Sequence, residues 1–97
     1  MNLSVKEIES IKKCFIGKPV KRAFLFGSYT RNEADSDSDV DILVELDYSK
    51  HIGLGFATMQ LELEKSLKKK VDLVSSNAVY KGIKPFIDND KQLIYER

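Results

Sequence analysis

The stretch GSYTRNEADSDSDVDILVEL, residues 27–46, decides how this chain reads. Its second half is a strand. Val40, Ile42, Val44 and Leu46 alternate with Asp39, Asp41, Leu43 and Glu45, so Val40 to Leu46 has the two-residue period of a β-strand with one apolar face. Residues i and i+2 of a strand point to the same side. Asp39 and Asp41 therefore stand side by side, about 7 Å apart at the backbone. Like charges at that spacing are costly to ionise together unless a cation joins them. Hard oxygen ligands without a neighbouring His or Cys suit magnesium, with manganese as the alternative, and not zinc.

The first half is a turn. Gly27-Ser28 interrupts the apolar run Ala23-Phe24-Leu25-Phe26, and ten residues separate Ser28 from Asp39. Glycine lets a ligand approach the backbone closely. Thr30 to Ala34 reads as one or two helical turns, and amides at a helix start favour anions. Ser28 adds a hydroxyl, and Arg31 either neutralises phosphate charge or pairs with Glu33 or Asp35. Asp35 to Ser38 is a polar loop. A phosphate cradle and a carboxylate pair on neighbouring strands would hold a metal-bound triphosphate between them.

Working outward, Val20 to Phe26 reads as a strand buried on both faces. Val5 to Ile16 is a helix, with Ser4 and Glu7 as a capping box and Gly17-Lys18-Pro19 as its stop. Tyr48 to Gly55 is a loop. Phe56 to Lys69 is a second helix, with Phe56, Met59, Leu63 and Leu67 on one face and three lysines at its end. Val71 to Val74 is a third strand. It contains a lone carboxylate, Asp72, which is disfavoured there unless something pairs with it. If that strand lies beside Val40–Leu46, Asp72 completes a triad with Asp39 and Asp41, as two-metal phosphoryl transfer requires. Ala78 to Asp90 is helical in parts, broken by Gly82 and Pro85, and Gln92 to Tyr95 is a short fourth strand. The order predicts an α/β (α+β) chain, a small mixed sheet flanked by helices.

Length and composition bound the function. Ninety-seven residues, 42% hydrophobic, allow one domain, residues 1–97, with a small core. A net charge of +1 gives no overall case for nucleic acid. The charge is uneven: residues 31–50 carry seven Asp/Glu against two basic residues. No apolar run reaches the roughly 18 residues of a membrane span. A single cysteine, Cys14, fits a reduced, cytoplasmic protein. His51 reads as a surface residue. Tyr29, Tyr48, Tyr80 and Tyr95 read as packing residues, with Tyr48 and Tyr80 as weaker candidates to flank a nucleobase.

The pattern Gly27-Ser28-x10-Asp39-x-Asp41, followed by Asp72 on a later strand, resembles the polymerase-β-type nucleotidyltransferase superfamily. Arg31, the run Asp37-Ser38-Asp39-Val40-Asp41 and the strand Ile42-Leu43-Val44-Glu45 make it similar to the minimal nucleotidyltransferase (MNT) antitoxins. The resemblance covers residues 20–75. It implies a polymerase-β-like core, two magnesium ions on Asp39, Asp41 and Asp72, and ATP as substrate at Gly27, Ser28 and Arg31. It also implies transfer of AMP to a tyrosine of a partner HEPN toxin. The alternatives are a toxin-binding module without catalysis, and nucleotidyl transfer to a small-molecule hydroxyl.

Overall fold

The computed structural model describes residues 3–31, 33–35, 38–79 and 81–97. Four strands form one sheet: β1 (Val20–Phe26), β2 (Val40–Leu46), β3 (Val71–Ser75) and β4 (Gln92–Glu96), in the order β3-β2-β1-β4. β1 pairs antiparallel with β2 and β4. β2 and β3 run parallel, joined by the crossover helix α2 (Gly55–Leu67), as parallel strands require. The sheet is mixed and small, as the sequence predicts.

Alternation along the strands builds two unequal faces. On one, Ala23, Leu25, Val40, Ile42, Val44, Leu46, Val71 and Leu73 meet Ile11 and Phe15 of α1 (Val5–Phe15) and Met59, Leu63 and Leu67 of α2. Ile11, Phe15, Met59 and Leu63 are essentially inaccessible, and each such side chain contributes about 1.5–3 kcal/mol of burial free energy. The Ser4 hydroxyl accepts from the Glu7 amide, and the Glu7 carboxylate accepts from the Ser4 amide. The predicted capping box is therefore formed. On the other face Phe24, Leu43 and Ile87 are the buried apolar cluster among the described residues, with Ile87 supplied by the short helix α3 (Lys84–Asp90). Phe26, Val74 and Val79 pack against this cluster partly buried, and one seven-residue helix leaves the face less covered than the first.

That asymmetry corrects the reading of β1 as buried on both faces. Burial on both faces holds from Ala23 to Leu25, while Lys21 and Arg22 are exposed. Arg22 bonds across the ladder to Glu45 at 2.6 Å on the lightly covered face. A second correction falls at the Gly-Ser turn. The helical turn spans Gly27–Tyr29 as a 3-10 turn, and residues 33–35 are irregular. The Gly27 carbonyl accepts from the Thr30 and Arg31 amides, so the turn begins three residues before the predicted start at Thr30. α2 ends at Leu67, with Lys68 left-handed (φ 54°) as its cap. Among the described residues, no helix is long and apolar enough to cross a membrane.

Candidate functional site

The less covered face carries the acids. Asp41 lies between Val40 and Ile42, and Asp72 lies between Val71 and Leu73. All four apolar neighbours point into the main core, so both carboxylates point the other way. Register makes them neighbours: Asp41 and Asp72 are paired positions across the parallel β2–β3 ladder, where strands lie about 4.8 Å apart. Asp39 stands just before β2 and is half-buried. β3 is an edge strand and Asp72 is exposed. Exposure alone would make it an ordinary solvated acid, but its register with Asp41 makes it part of the site.

Asp41 feels this arrangement most. Burial first, then the charges of Asp72 and of Asp39, push its carboxyl up to about 6, with Arg31 opposing them. Burial and two neighbouring acids thus outweigh the one positive charge, Arg31, that acts on Asp41. The donor set, hard carboxylate oxygens on adjacent strands, suits a divalent cation. Among the described residues no three acidic, His or Cys side chains are already gathered into a closed metal cluster. The site is thus a row of acids set by strand register, beside a solvent-open face.

Gly27 completes it. Phe26 pairs with Asp41 across β1 and β2, so the chain leaves the sheet directly beside that carboxylate. Gly27 has φ +77°, and a Cβ there would overlap the Asp41 carboxylate oxygen. Only glycine satisfies both the left-handed backbone and this approach. Ser28 follows, half-buried, its carbonyl accepting from the Glu33 amide at 2.9 Å. With a 3-10 turn in place of a helix, a helix dipole no longer supports the phosphate reading. The backbone amides and the close approach do.

Arg31 is exposed and paired. It donates to Glu33 at 2.7 Å and to Asp90, at the end of α3, at 2.9 Å. Glu33 is one of the two partners, with Asp35, that the sequence suggests for Arg31; Asp90 lies 59 residues away and carries no local signal. The sequence expectation misses Thr30, although Gly-x-x-Thr is a turn signal in which the hydroxyl returns to the backbone. Its Oγ1 donates to the Gly27 carbonyl at 2.7 Å. Tyr29 packs in the main core as expected, 4% exposed. His51 is exposed, and the Tyr48 hydroxyl bonds Ser75 at the far end of β3. Asp37 and Tyr80 lie outside the described residues.

Comparison with known proteins follows the same line. Residues 9–97 match the family model described as polymerase beta, nucleotidyltransferase. The protein adenylyltransferase MntA of Thermococcus cleftensis is 40% identical over 86 residues, covering 84% of this chain and 86% of that protein. Two solved structures share the fold. One is a toxin–antitoxin complex with AMP-PNP, with TM-score 0.78 and 20% identity, covering 93% of this chain and 73% of that one. The other is a tri-AMPylated Shewanella oneidensis HEPN toxin in complex with an MNT antitoxin, with TM-score 0.70 and 18% identity, covering 94% and 71%.

Proposed function

We infer the function from one premise: this chain belongs to the polymerase-β-type nucleotidyltransferase family and is a nucleotidyltransferase, related to protein adenylyltransferases. We propose that it moves AMP from ATP to a tyrosine hydroxyl of a partner HEPN-type toxin, and thereby acts as the antitoxin of a pair. The observation that carries this reading is the pairing of Asp41 with Asp72 beside Gly27, on a face left open to solvent. The catalytic unit is taken as the one domain of residues 1–97. The cytoplasmic residence read from the sequence stays part of the proposal and rests on Cys14, a buried free thiol.

In this reading Asp39, Asp41 and Asp72 would hold two magnesium ions. When bound, the ions neutralise the triphosphate and make the acceptor hydroxyl more acidic. Gly27, with no side chain, admits the triphosphate next to Asp41, and the turn amides and the Ser28 hydroxyl meet its oxygens. Arg31, at the rim, adds positive charge. Asp72 is the most exposed of the three acids, so it orients the incoming hydroxyl and takes its proton. The acceptor oxygen bonds to the α-phosphorus as the bond from that phosphorus to the bridging oxygen breaks. Pyrophosphate leaves, and the proton passes from Asp72 to solvent. Asp72 is exposed on an edge strand, so a tyrosine presented by another protein can reach it.

The test is to purify the chain with its helical partner, add ATP and magnesium, and weigh both proteins by mass spectrometry. The expected result is one or more AMP units on a partner tyrosine, abolished by chelation of the metal. Asp39→Asn and Asp41→Asn should each stay folded and lose transfer by at least about 100-fold. A stable complex without any mass change would replace catalysis with a binding-only role. Equal ATP affinity with and without magnesium would sink the metal assignment.

A further inference from the structure

The Gly27–Ser28 peptide must hold one orientation if its amide is to meet a triphosphate, yet nothing in Gly27 itself enforces it. Glycine visits many backbone states at little cost, and the left-handed φ of +77° is one among them. The restraint comes from the carbonyl side of the peptide. The Gly27 oxygen accepts from the Thr30 amide at 3.0 Å, the Arg31 amide at 3.3 Å and the Thr30 hydroxyl at 2.7 Å. The hydroxyl bond is the shortest of the three. In a planar trans peptide the carbonyl and the following N–H point in opposite directions. Fixing the Gly27 carbonyl toward Thr30 therefore fixes the Ser28 N–H away from it.

We propose that Thr30 is a positioning residue for nucleotide transfer: its hydroxyl locks the Gly27–Ser28 peptide so that the Ser28 amide is presented to the triphosphate beside Asp41. Thr30 itself touches no reacting atom. This rests on the nucleotidyl-transfer reading of the same site. Thr30 is half-buried and its hydroxyl is used inward, which distinguishes it from a solvated loop residue. The bond acts on ground-state and transition-state phosphate alike, so its loss weakens nucleotide binding more than it slows chemistry.

The experiment compares Thr30→Val, which keeps the shape and removes the hydroxyl, with Thr30→Ser, which keeps the hydroxyl. Two readouts are taken: equilibrium titration with ATP and magnesium, and steady-state transfer of α-labelled AMP to the partner. For Thr30→Val the affinity for ATP and KM should worsen by about 3- to 10-fold, the range of one lost hydrogen bond, with kcat within about twofold. Thr30→Ser should restore both, and the melting temperatures of the two variants should agree. Wild-type ATP affinity and KM in folded Thr30→Val would overturn the proposal. So would an equal loss in both variants accompanied by lower melting temperatures, which is the mark of a merely structural hydroxyl. If the wild-type chain binds ATP but labels nothing, the transfer reading fails, and the titration still decides Thr30.

Discussion

Asp41 of β2 and Asp72 of β3 occupy the same rung of a parallel ladder, with both carboxylates on the sheet face that the helices leave most open. Two acids placed rung to rung serve no purpose in stability, because each raises the cost of ionising the other. The electrostatic cost of the arrangement can be measured.

Asp41 titrates at about 6 in the folded chain against an ordinary value of 3.8. A carboxyl raised on folding binds its proton more tightly in the native state. The charged form therefore costs stability, and that cost appears as pH climbs from 3.8 toward 6 and persists above it. Asp41→Asn should stabilise the metal-free protein by about 1–2 kcal/mol near neutral pH. That range discounts the roughly 3 kcal/mol of a two-unit shift for the carboxyl's remaining solvent contact. Near pH 4 the gain should shrink to a few tenths of a kcal/mol, by the same linkage. Urea unfolding at the two pH values decides it, and an equal gain at both would refute the assignment.

Asp72 is exposed on an edge strand, so Asp72→Asn should change stability by no more than about 0.5 kcal/mol. Transfer should fall by at least about 100-fold. The Asp41 carboxyl should titrate lower than in the wild type, because the Asp72 charge is one of the causes that raise it. Carboxyl NMR titration reads this directly. An unmoved Asp41 would mean that the two acids do not interact.

Arg31 acts on Asp41 with the opposite sign. Arg31→Gln should raise the Asp41 pKa further, and added salt should erase the difference between variant and wild type. Its ion pairs to Glu33 and Asp90 are exposed, and exposed pairs contribute about 0–1 kcal/mol, so the melting curve should barely move. A large loss of stability would make the Asp90 clamp structural in the main.

Gly27→Ala places a Cβ against the Asp41 carboxylate at a left-handed φ. The variant should lose about 2 kcal/mol or more, of which roughly 1–2 is the backbone penalty alone. In an Asp41→Ala background only the backbone part should remain, so the two substitutions should be non-additive. Strict additivity in chemical denaturation would show that residues 27 and 41 do not crowd one another.

Neighbouring residues carried much of this protein's architecture in the sequence. The alternation over Val40–Leu46 set which side chains share a face, and so placed Asp39 beside Asp41. Ser4 and Glu7 marked the start of α1, and the spacing of Phe56, Met59, Leu63 and Leu67 marked the buried stripe of α2. Such signals are legible because the periods of strand and helix act over a few residues. The Gly27-Ser28 break beside the acid run was local in the same sense, and the family resemblance rests on it.

Tertiary structure decided what joins distant segments. Nothing local in Val71-Asp72-Leu73-Val74 says that this strand runs parallel to β2, or that Asp72 falls opposite Asp41 and not one residue away, facing the core. Register is set by the packing of Ile42, Val44, Val71 and Leu73 under α1 and α2, and a slip of one residue would have turned Asp72 inward. Arg31 finds Asp90, and Asp47 finds Arg97 at 3.0 Å, only once α3 and β4 are in place. The Gly27 turn begins earlier than its sequence suggests because the Thr30 and Arg31 amides and the Thr30 hydroxyl converge on one carbonyl. That convergence depends on how β1 leaves the sheet beside Asp41.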